Sequence, residues 1–265
     1  MLILIRGAGD IASGIGWRLC RSGFSVAMTD LEHPTAVRWK AAFCQAMWTR
    51  RCEVEGVAAV RCDSPSGAEA ALARGEIPIL PDPDGRAVRD LHPDVVVDAI
   101  LAKRNLGTCI TDAPLVIGVG PGFTAGEDCH CVIETMRGHT LGRCIYSGSA
   151  IPNTGIPGSV GGYTVERVLR TPCGGLFEPL KEIGDAVNAG ETVARVAGQP
   201  VVSRITGCLR GILPAETLVP KAGFKAGDVD ARCVREHCFT ISDKALAIGG
   251  GVLEAVCHWR SEREN

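Results

Sequence analysis

The residues of this chain with chemical potential fall in four short segments, and together they suit an anionic ligand. Gly7-Ala8-Gly9-Asp10 follows the apolar run Leu2-Ile3-Leu4-Ile5 and precedes an amphipathic stretch. A glycine turn between strand and helix aims backbone N–H groups and the positive end of the helix dipole at whatever lies above it, which favours phosphate. Gly7 suits the turn, and Gly9 leaves room for a pyrophosphate to approach the backbone. Ala12 stands where the dinucleotide fingerprint takes Gly or Ala for close packing of helix on strand. Asp30 ends the next apolar run, 23 residues after Gly7, near the spacing of a carboxylate that accepts ribose hydroxyls. Lys103-Arg104-Asn105 adds positive charge directly after an apolar strand, and Gly120-Pro121-Gly122 opens a second glycine loop. Asp10 is discordant: a carboxylate there repels a pyrophosphate unless it turns away, caps the helix or holds a cation. The same glycines serve equally to make a turn in a ligand-free domain.

Cysteine is abundant, at 13 of 265 residues, yet no Cys-x-x-Cys pair occurs. Asp128-Cys129-His130-Cys131 and Cys233-Val234-Arg235-Glu236-His237-Cys238 lack the paired knuckle spacing of zinc sites, so no metal site is expected. Strand alternation puts Cys129 and Cys131 on one face and His130 on the other. The cysteines read as reduced, mostly small core residues. No carboxylate pair, Ser-His-Asp set or nucleophilic cysteine is assignable, and His130, His139 and His237 are acid/base candidates by type alone.

Positioning these segments takes an alternation of strands and helices. A strand over 2–6, a helix continuing over 17–22 and a strand over 24–30 open the chain. Pro34, suited to a first helical position, predicts a helix over 34–48. Strands near 56–60 and 77–80, a helix over 66–74, and the apolar runs Val95-Val96-Val97-Asp98-Ala99-Ile100 and Leu115-Val116-Ile117-Gly118-Val119 follow. Near-continuous apolar runs mark parallel strands covered on both faces. The prediction is an α/β fold with a Rossmann-like parallel sheet, in which ligands bind beyond the carboxyl ends of the strands where strand order reverses. The Gly7 loop, Lys103-Arg104-Asn105 and the Gly120 loop would gather there.

From residue 136 helix signals fade, and 148–158 reads as a linker or ordered loop. The predicted domains are 1–150, binding a nucleotide or cofactor, and 151–265, β-rich with a C-terminal helix. Gly184-Asp185 and Gly227-Asp228 head two faintly repeated stretches of short strands and are expected in turns. This part resembles the biotinyl/lipoyl carrier domain, a barrel-sandwich hybrid. It departs from it where Ala197-Gly198-Gln199-Pro200 stands in place of a lysine-bearing hairpin, which argues against a swinging arm; Lys181, Lys221 and Lys225 read as surface charges. Ser242 reads as the N-cap of a last helix, in which Gly249-Gly250-Gly251 either breaks the helix or permits close packing.

A hydrophobic share of 46% builds a core easily, and a net charge of −2 argues against nucleic acid or an acidic membrane as partner. With a strand expected from Leu2 and no apolar run long enough to span a bilayer, the expectation is a cytoplasmic protein, compatible with a homo-oligomer.

Ile5-Arg6-Gly7-Ala8-Gly9-Asp10-Ile11-Ala12, Met28-Thr29-Asp30-Leu31-Glu32-His33-Pro34, Ala102-Lys103-Arg104-Asn105-Leu106-Gly107-Thr108, Gly120-Pro121-Gly122-Phe123-Thr124-Ala125-Gly126 and Gly223-Phe224-Lys225-Ala226-Gly227-Asp228-Val229-Asp230 occur in this order. The combination resembles the YqeB-type accessory proteins of the selenium-dependent molybdenum hydroxylase system. That resemblance implies a role in maturing a molybdenum hydroxylase, which would be the partner. The ligand would be molybdopterin, the phosphate-bearing pterin of the molybdenum cofactor, or a nucleotide such as NAD or CTP. Two alternatives stand beside it: an NAD-dependent oxidoreductase, which Asp30 favours, and a non-catalytic interaction protein.

Overall fold

The computed structural model describes residues 1–264. The chain divides into two compact units. The first comprises Met1–Pro34, Ala42–Asn153 and the residues from Ile241 onward; the second comprises Thr35–Ala41 and Thr154–Thr240.

In the first unit, β1 (Leu2–Arg6), β2 (Ser25–Asp30), β3 (Arg51–Val54), β4 (Val57–Arg61), β5 (Ile77–Pro81), β6 (Val95–Asp98) and β7 (Leu115–Val119) belong to one nine-stranded sheet. A short ribbon of β8 (Thr124–Ala125) and β11 (Gly148–Ser149) stands apart, while β9 (Cys131–Ile133) and β10 (Cys144–Ile145) complete the sheet. Its order is β10-β9-β7-β6-β1-β2-β5-β4-β3. Every pairing from β9 across to β4 is parallel, and only the edges β10 and β3 run antiparallel. From β1 the chain builds outward through β2, then resumes on the other side of β1 with β6, β7 and β9. Strand order therefore reverses between β1 and β6.

Helices cover both faces, which explains the unbroken apolar runs of the central strands. On α1 (Asp10–Arg21), Gly16 packs toward Ile5 and Met28. The alternate residues Leu4 and Ala27 form a cluster with Ala87 and its neighbours Val88 and Leu91 of α4 (Ala87–Leu91). The short α2 (Ala46–Thr49) precedes β3, and α3 (Pro65–Ala73), capped by Ser64, packs Ala68 and Ala71 with Leu80. The last helix, α5 (Asp243–Glu264), starts at Ser242, whose Oγ accepts from Ala245 N at 3.2 Å.

Three glycines at the heart of α5 do not break it. A Cβ on Gly249 would lie 2.8 Å from the Gly14 carbonyl oxygen of α1, and one on Gly251 would collide with the Gly142 carbonyl oxygen; Gly250 faces open space. The close approach expected at Ala12 is thus joined by a helix–helix contact at Gly14, and α5, attached by sequence to the second domain, belongs to the first unit.

The predicted helix over 34–48 does not form as one element: short 3₁₀ turns over Trp39–Ala41 and Phe43–Gln45 and the single turn of α2 stand in its place. Residues 35–41 instead give their bonding groups to the second unit: Val37 O accepts from Ile212 N at 2.8 Å, Trp39 Nε1 donates to Ile212 O at 3.1 Å, and Arg38 donates to the carbonyls of His237 and Thr240. Long-range bonds outweigh a local helical preference here.

The second unit holds two four-stranded antiparallel sheets. One orders β12 (Val168–Arg170), β19 (Lys225–Asp230), β17 (Gly207–Ile212) and β14 (Ala186–Val187); the other orders β16 (Gln199–Val202), β15 (Thr192–Val196), β13 (Gly175–Pro179) and β18 (Leu218–Val219). One apolar core, including Leu169, Phe177, Val193, Val201, Leu209 and Val229, draws on both. Gly184-Asp185 lies in a turn, but Gly227-Asp228 lies inside β19, contrary to expectation. A Cβ on Gly227 would meet the Gly211 carbonyl at 2.5 Å, and buried Asp228 pairs with Arg167 and Arg210. Strand-to-strand closeness, not a turn, places the glycine. Lys181 pairs with Glu191 at 2.7 Å, and Lys221 and Lys225 are exposed.

Candidate functional site

The reversal of strand order puts the carboxyl ends of β1 and β6 side by side in the first unit, and the Gly7 loop leaves the sheet there. Gly7 holds φ +103°, and a Cβ on it would sit 2.9 Å from the Ala99 carbonyl oxygen. Its bareness therefore admits the chain that follows β6. Ala8 is wholly occupied by protein: its N–H donates to Asp30 Oδ2 at 3.0 Å, and its carbonyl accepts from Cys44 N at 2.9 Å and Ser13 Oγ at 3.0 Å. Gly9 is the N-cap of α1 in an extended conformation (φ −72°, ψ −172°), and being glycine it supplies no side-chain cap. Asp10 opens the first turn, where a carboxylate is favoured by the helix dipole.

Asp30, at the end of β2, accepts from Leu31 N at 2.8 Å as well as from Ala8 N. Burial outweighs these two donors and pushes its carboxyl up to about 6. Cys44 lies close by, fully enclosed; burial first, then the charges of Asp30, Cys52 and Asp10, hold its thiol well above the ordinary value. It is a packing residue, not a nucleophile. Leu31 and Ile100, which follow β2 and β6, are 48% and 39% exposed and give this end of the sheet an apolar rim.

The loop after β6 meets the second glycine loop. Leu101 and Lys103 hold φ +61° and +65°, uncommon for residues with a Cβ and sustained only where surrounding contacts fix the backbone. A Cβ on Gly122 (φ +113°) would lie 2.7 Å from Arg104 Cα. Lys103 and Arg104 are exposed. Asn105, expected to bind ligand, is spent on the protein: Nδ2 donates to Thr108 O at 2.7 Å and Asp128 Oδ1 at 3.1 Å, while Oδ1 accepts from Gly107 N and Thr108 N. All four bonding positions of an amide are filled, so its role is to tie the loops. Asp128 Oδ2 in turn accepts from Thr124 N at 2.8 Å. Gly120 abuts Thr135, whose N–H, with those of Met136 and Ile151, donates to the buried Glu134 carboxylate at 2.6–2.8 Å.

Sequence reasoning passed over the ionic bolt beneath these loops. Arg6, Asp98 and Thr108 are 8%, 2% and 2% exposed. The Arg6 guanidinium bonds Thr108 Oγ1 and lies 3.6 Å from Asp98 Oδ2; Thr108 Oγ1 donates to Asp98 at 2.6 Å, and Ile100 N donates to Asp98 Oδ1. The available signal was two apolar strands ending in opposite charges, Arg6 and Asp98.

His130 stands elsewhere. Its Nδ1 accepts from Val116 N at 3.0 Å, beside the amino-terminal ends of β7 and β9 and away from the glycine loops. It is exposed while Cys129 and Cys131 are buried, the alternation the strand pattern implies. Among the described residues no group of His, Cys, Asp or Glu forms a metal cluster, and no helix is long and apolar enough to cross a membrane.

The fold defines an α/β protein with a large, mostly parallel sheet whose strand order reverses at a glycine loop. No family model matches the chain. Over 255 residues, 96% of its length, it is 48% identical to "Uncharacterized protein YqeB" of Escherichia coli strain K12, which supports the YqeB family. The chain spans 47% of that relative's length. An aspartoacylase family protein from Mesorhizobium loti overlays 86% of this chain and 83% of its own at 12% identity, but with a TM-score of 0.25 the likeness carries no argument.

Proposed function

We propose that the first unit binds a phosphate-bearing, nucleotide-like ligand or molybdopterin at the Gly7 loop, and that the protein serves the maturation of a molybdenum hydroxylase. The observation that carries the ligand reading is the N-terminus of α1, whose N-cap is the bare Gly9, beside the point where strand order reverses. Asp30 would accept ligand hydroxyls, the exposed Lys103 and Arg104 would meet negative charge, and Leu31 and Ile100 offer apolar contact to a flat ring. Asn105, Gly7 and Gly122 contribute by fixing the loops, since their atoms or their bareness are taken up by protein.

The second unit fits a barrel-sandwich hybrid of the lipoyl kind on its two antiparallel sheets. Its β15–β16 hairpin turns at Ala197-Gly198 without a lysine, which favours holding or handing over a ligand above carrying one covalently.

Calorimetry with molybdopterin, CTP and NAD tests the reading. The extended backbone of Gly9 is open to other residues, so Gly9→Val places a branched side chain at the helix start without demanding a left-handed turn. Binding of at least one ligand, weakened about tenfold or more in Gly9→Val with an unchanged circular dichroism spectrum, is the expected result. No heat with any of the three, or equal affinity in the variant, overturns it. NAD-dependent oxidation, the second reading, rests on Asp30 at the end of β2 and predicts nicotinamide reduction that Gly9→Val abolishes.

A further inference from the structure

The second cysteine motif, Cys233-Val234-Arg235-Glu236-His237-Cys238, ends in a contact that the ligand reading leaves unused. Cys208 sits in mid-sheet of the second unit, opposite Ala186 of β14 and Asp230 of β19. Its Sγ lies 3.4 Å from the Cys238 Sγ, although 30 positions separate the two in sequence. Both are free thiols. Cys238 closes a 3₁₀ turn, Arg235–Cys238, that packs on β17. The surroundings hold that turn in place. Arg38 donates to the carbonyls of His237 and Thr240 on either side of Cys238. Arg235 stacks over the Phe239 ring at 5.1 Å, and a Cβ on Gly184 would lie 2.8 Å from Phe239 Cζ, so a bare Gly184 admits the ring.

We propose that Cys208 and Cys238 are the site of a peroxide-driven disulfide that pins the turn Arg235–Cys238 to β17. The Cys208 thiolate attacks one oxygen of hydrogen peroxide. The O–O bond breaks, Cys208 becomes a sulfenic acid, and the released hydroxide takes up the Cys208 proton as water. Cys238 then gives up its proton and attacks the Cys208 sulfur. The S–O bond breaks, and the second hydroxide leaves with that proton as water. Two thiols and one peroxide become one disulfide and two waters, the chain being oxidised by two electrons.

The roles of the two sulfurs follow from where their hydrogens go. A thiol has a single hydrogen to donate. Cys208 Sγ donates its own to Gly184 O at 3.3 Å, so the hydrogen between the sulfurs is that of Cys238. Burial first, then this contact, pushes the Cys238 thiol up to about 12, against the positive charges of Arg38 and Arg210. Cys238 therefore keeps its proton and donates it to Cys208, the attacking sulfur, until the resolving step. Access selects the oxidant. Cys208 and Cys238 are 5% and 1% exposed, but the residues Arg232–Glu236 just before Cys238 are all exposed. A brief opening of one surface turn admits a molecule of about the size of water.

The test treats the reduced full chain with hydrogen peroxide, alkylates the remaining thiols after unfolding in urea, and maps the cysteines by mass spectrometry. The expected product is a Cys208–Cys238 crosslink in the unmutated chain, with the loss of two hydrogen atoms, which dithiothreitol reverses. In Cys238→Ser, dimedone should capture a sulfenic acid on Cys208. The crosslinked chain should exchange the amides of 235–238 at least about tenfold more slowly than the reduced one. Three results on the unmutated chain overturn the proposal. One is recovery of both cysteines as thiols once the exposed Cys109, Cys233 and Cys257 are oxidised. The others are a crosslink from either to a third cysteine, and unchanged exchange at the turn.

Discussion

Asp30 links the glycine loop to solution pH. Its carboxyl, held near about 6 by burial, binds its proton more tightly in the folded chain than in the unfolded one, where it titrates near about 4. The resulting stabilisation is complete below about 4 and is lost as pH rises through about 6. Urea denaturation from pH 4 to 7 should show the wild type losing stability relative to Asp30→Asn; parallel curves would show that another group is responsible. Asp98 governs a different balance. Asp98→Ala leaves the Arg6 guanidinium buried without its counter-charge and should cost about 3 kcal/mol in urea denaturation. A loss under about 1 kcal/mol would mean that water reaches the guanidinium. Gly7 and Asp30 were legible because a turn and a strand end announce themselves locally. Arg6 was not, because its partner Thr108 lies 102 residues away. Asn105 looks like a ligand group in sequence for the same reason: nothing near it announces Asp128.

α5 shows most clearly what an isolated element reveals and what it withholds. Its capping serine and its run of three glycines are visible in sequence, and so is the choice between breaking and packing closely. Only the partners decide between them: Gly14 on α1 and Gly142 before β10 require bare backbone at Gly249 and Gly251. Gly250 has no such neighbour, so Gly250→Ala should stabilise by about 1 kcal/mol through helix propensity alone. Gly249→Ala should lower the melting temperature although the residue gains the same propensity. Calorimetric scans of the two variants check the pair, and shifts of equal sign would contradict the packing. The stretch 34–48 fails as one continuous helix for the converse reason. Its apolar spacing is helical, but Val37, Arg38 and Trp39 satisfy their bonding groups against Ile212, His237 and Thr240, which no local pattern foretells.

Both units interrupt one another along the chain, since 35–41 belongs to the second and everything from Ile241 onward to the first. Sequence style marked the passage near residue 150, where helix signals fade, but not the return, because the contact of α5 with α1 leaves no local trace. A chain ending at Thr240 lacks the buried Ala245, Ile248, Val252, Ala255 and Val256 of α5. In that truncation β1 amides should lose protection from hydrogen exchange while β17 amides keep theirs; retained protection in β1 would show that α5 is dispensable. The same arrangement sets a timetable on the ribosome. At about 5–20 residues per second, α1 emerges at least about ten seconds before the helix that covers it. The second unit has all its residues first, while the earlier-made strands wait beside an uncovered helix face. Until synthesis reaches α5, the nascent first unit presents an apolar stripe suited to a holdase chaperone.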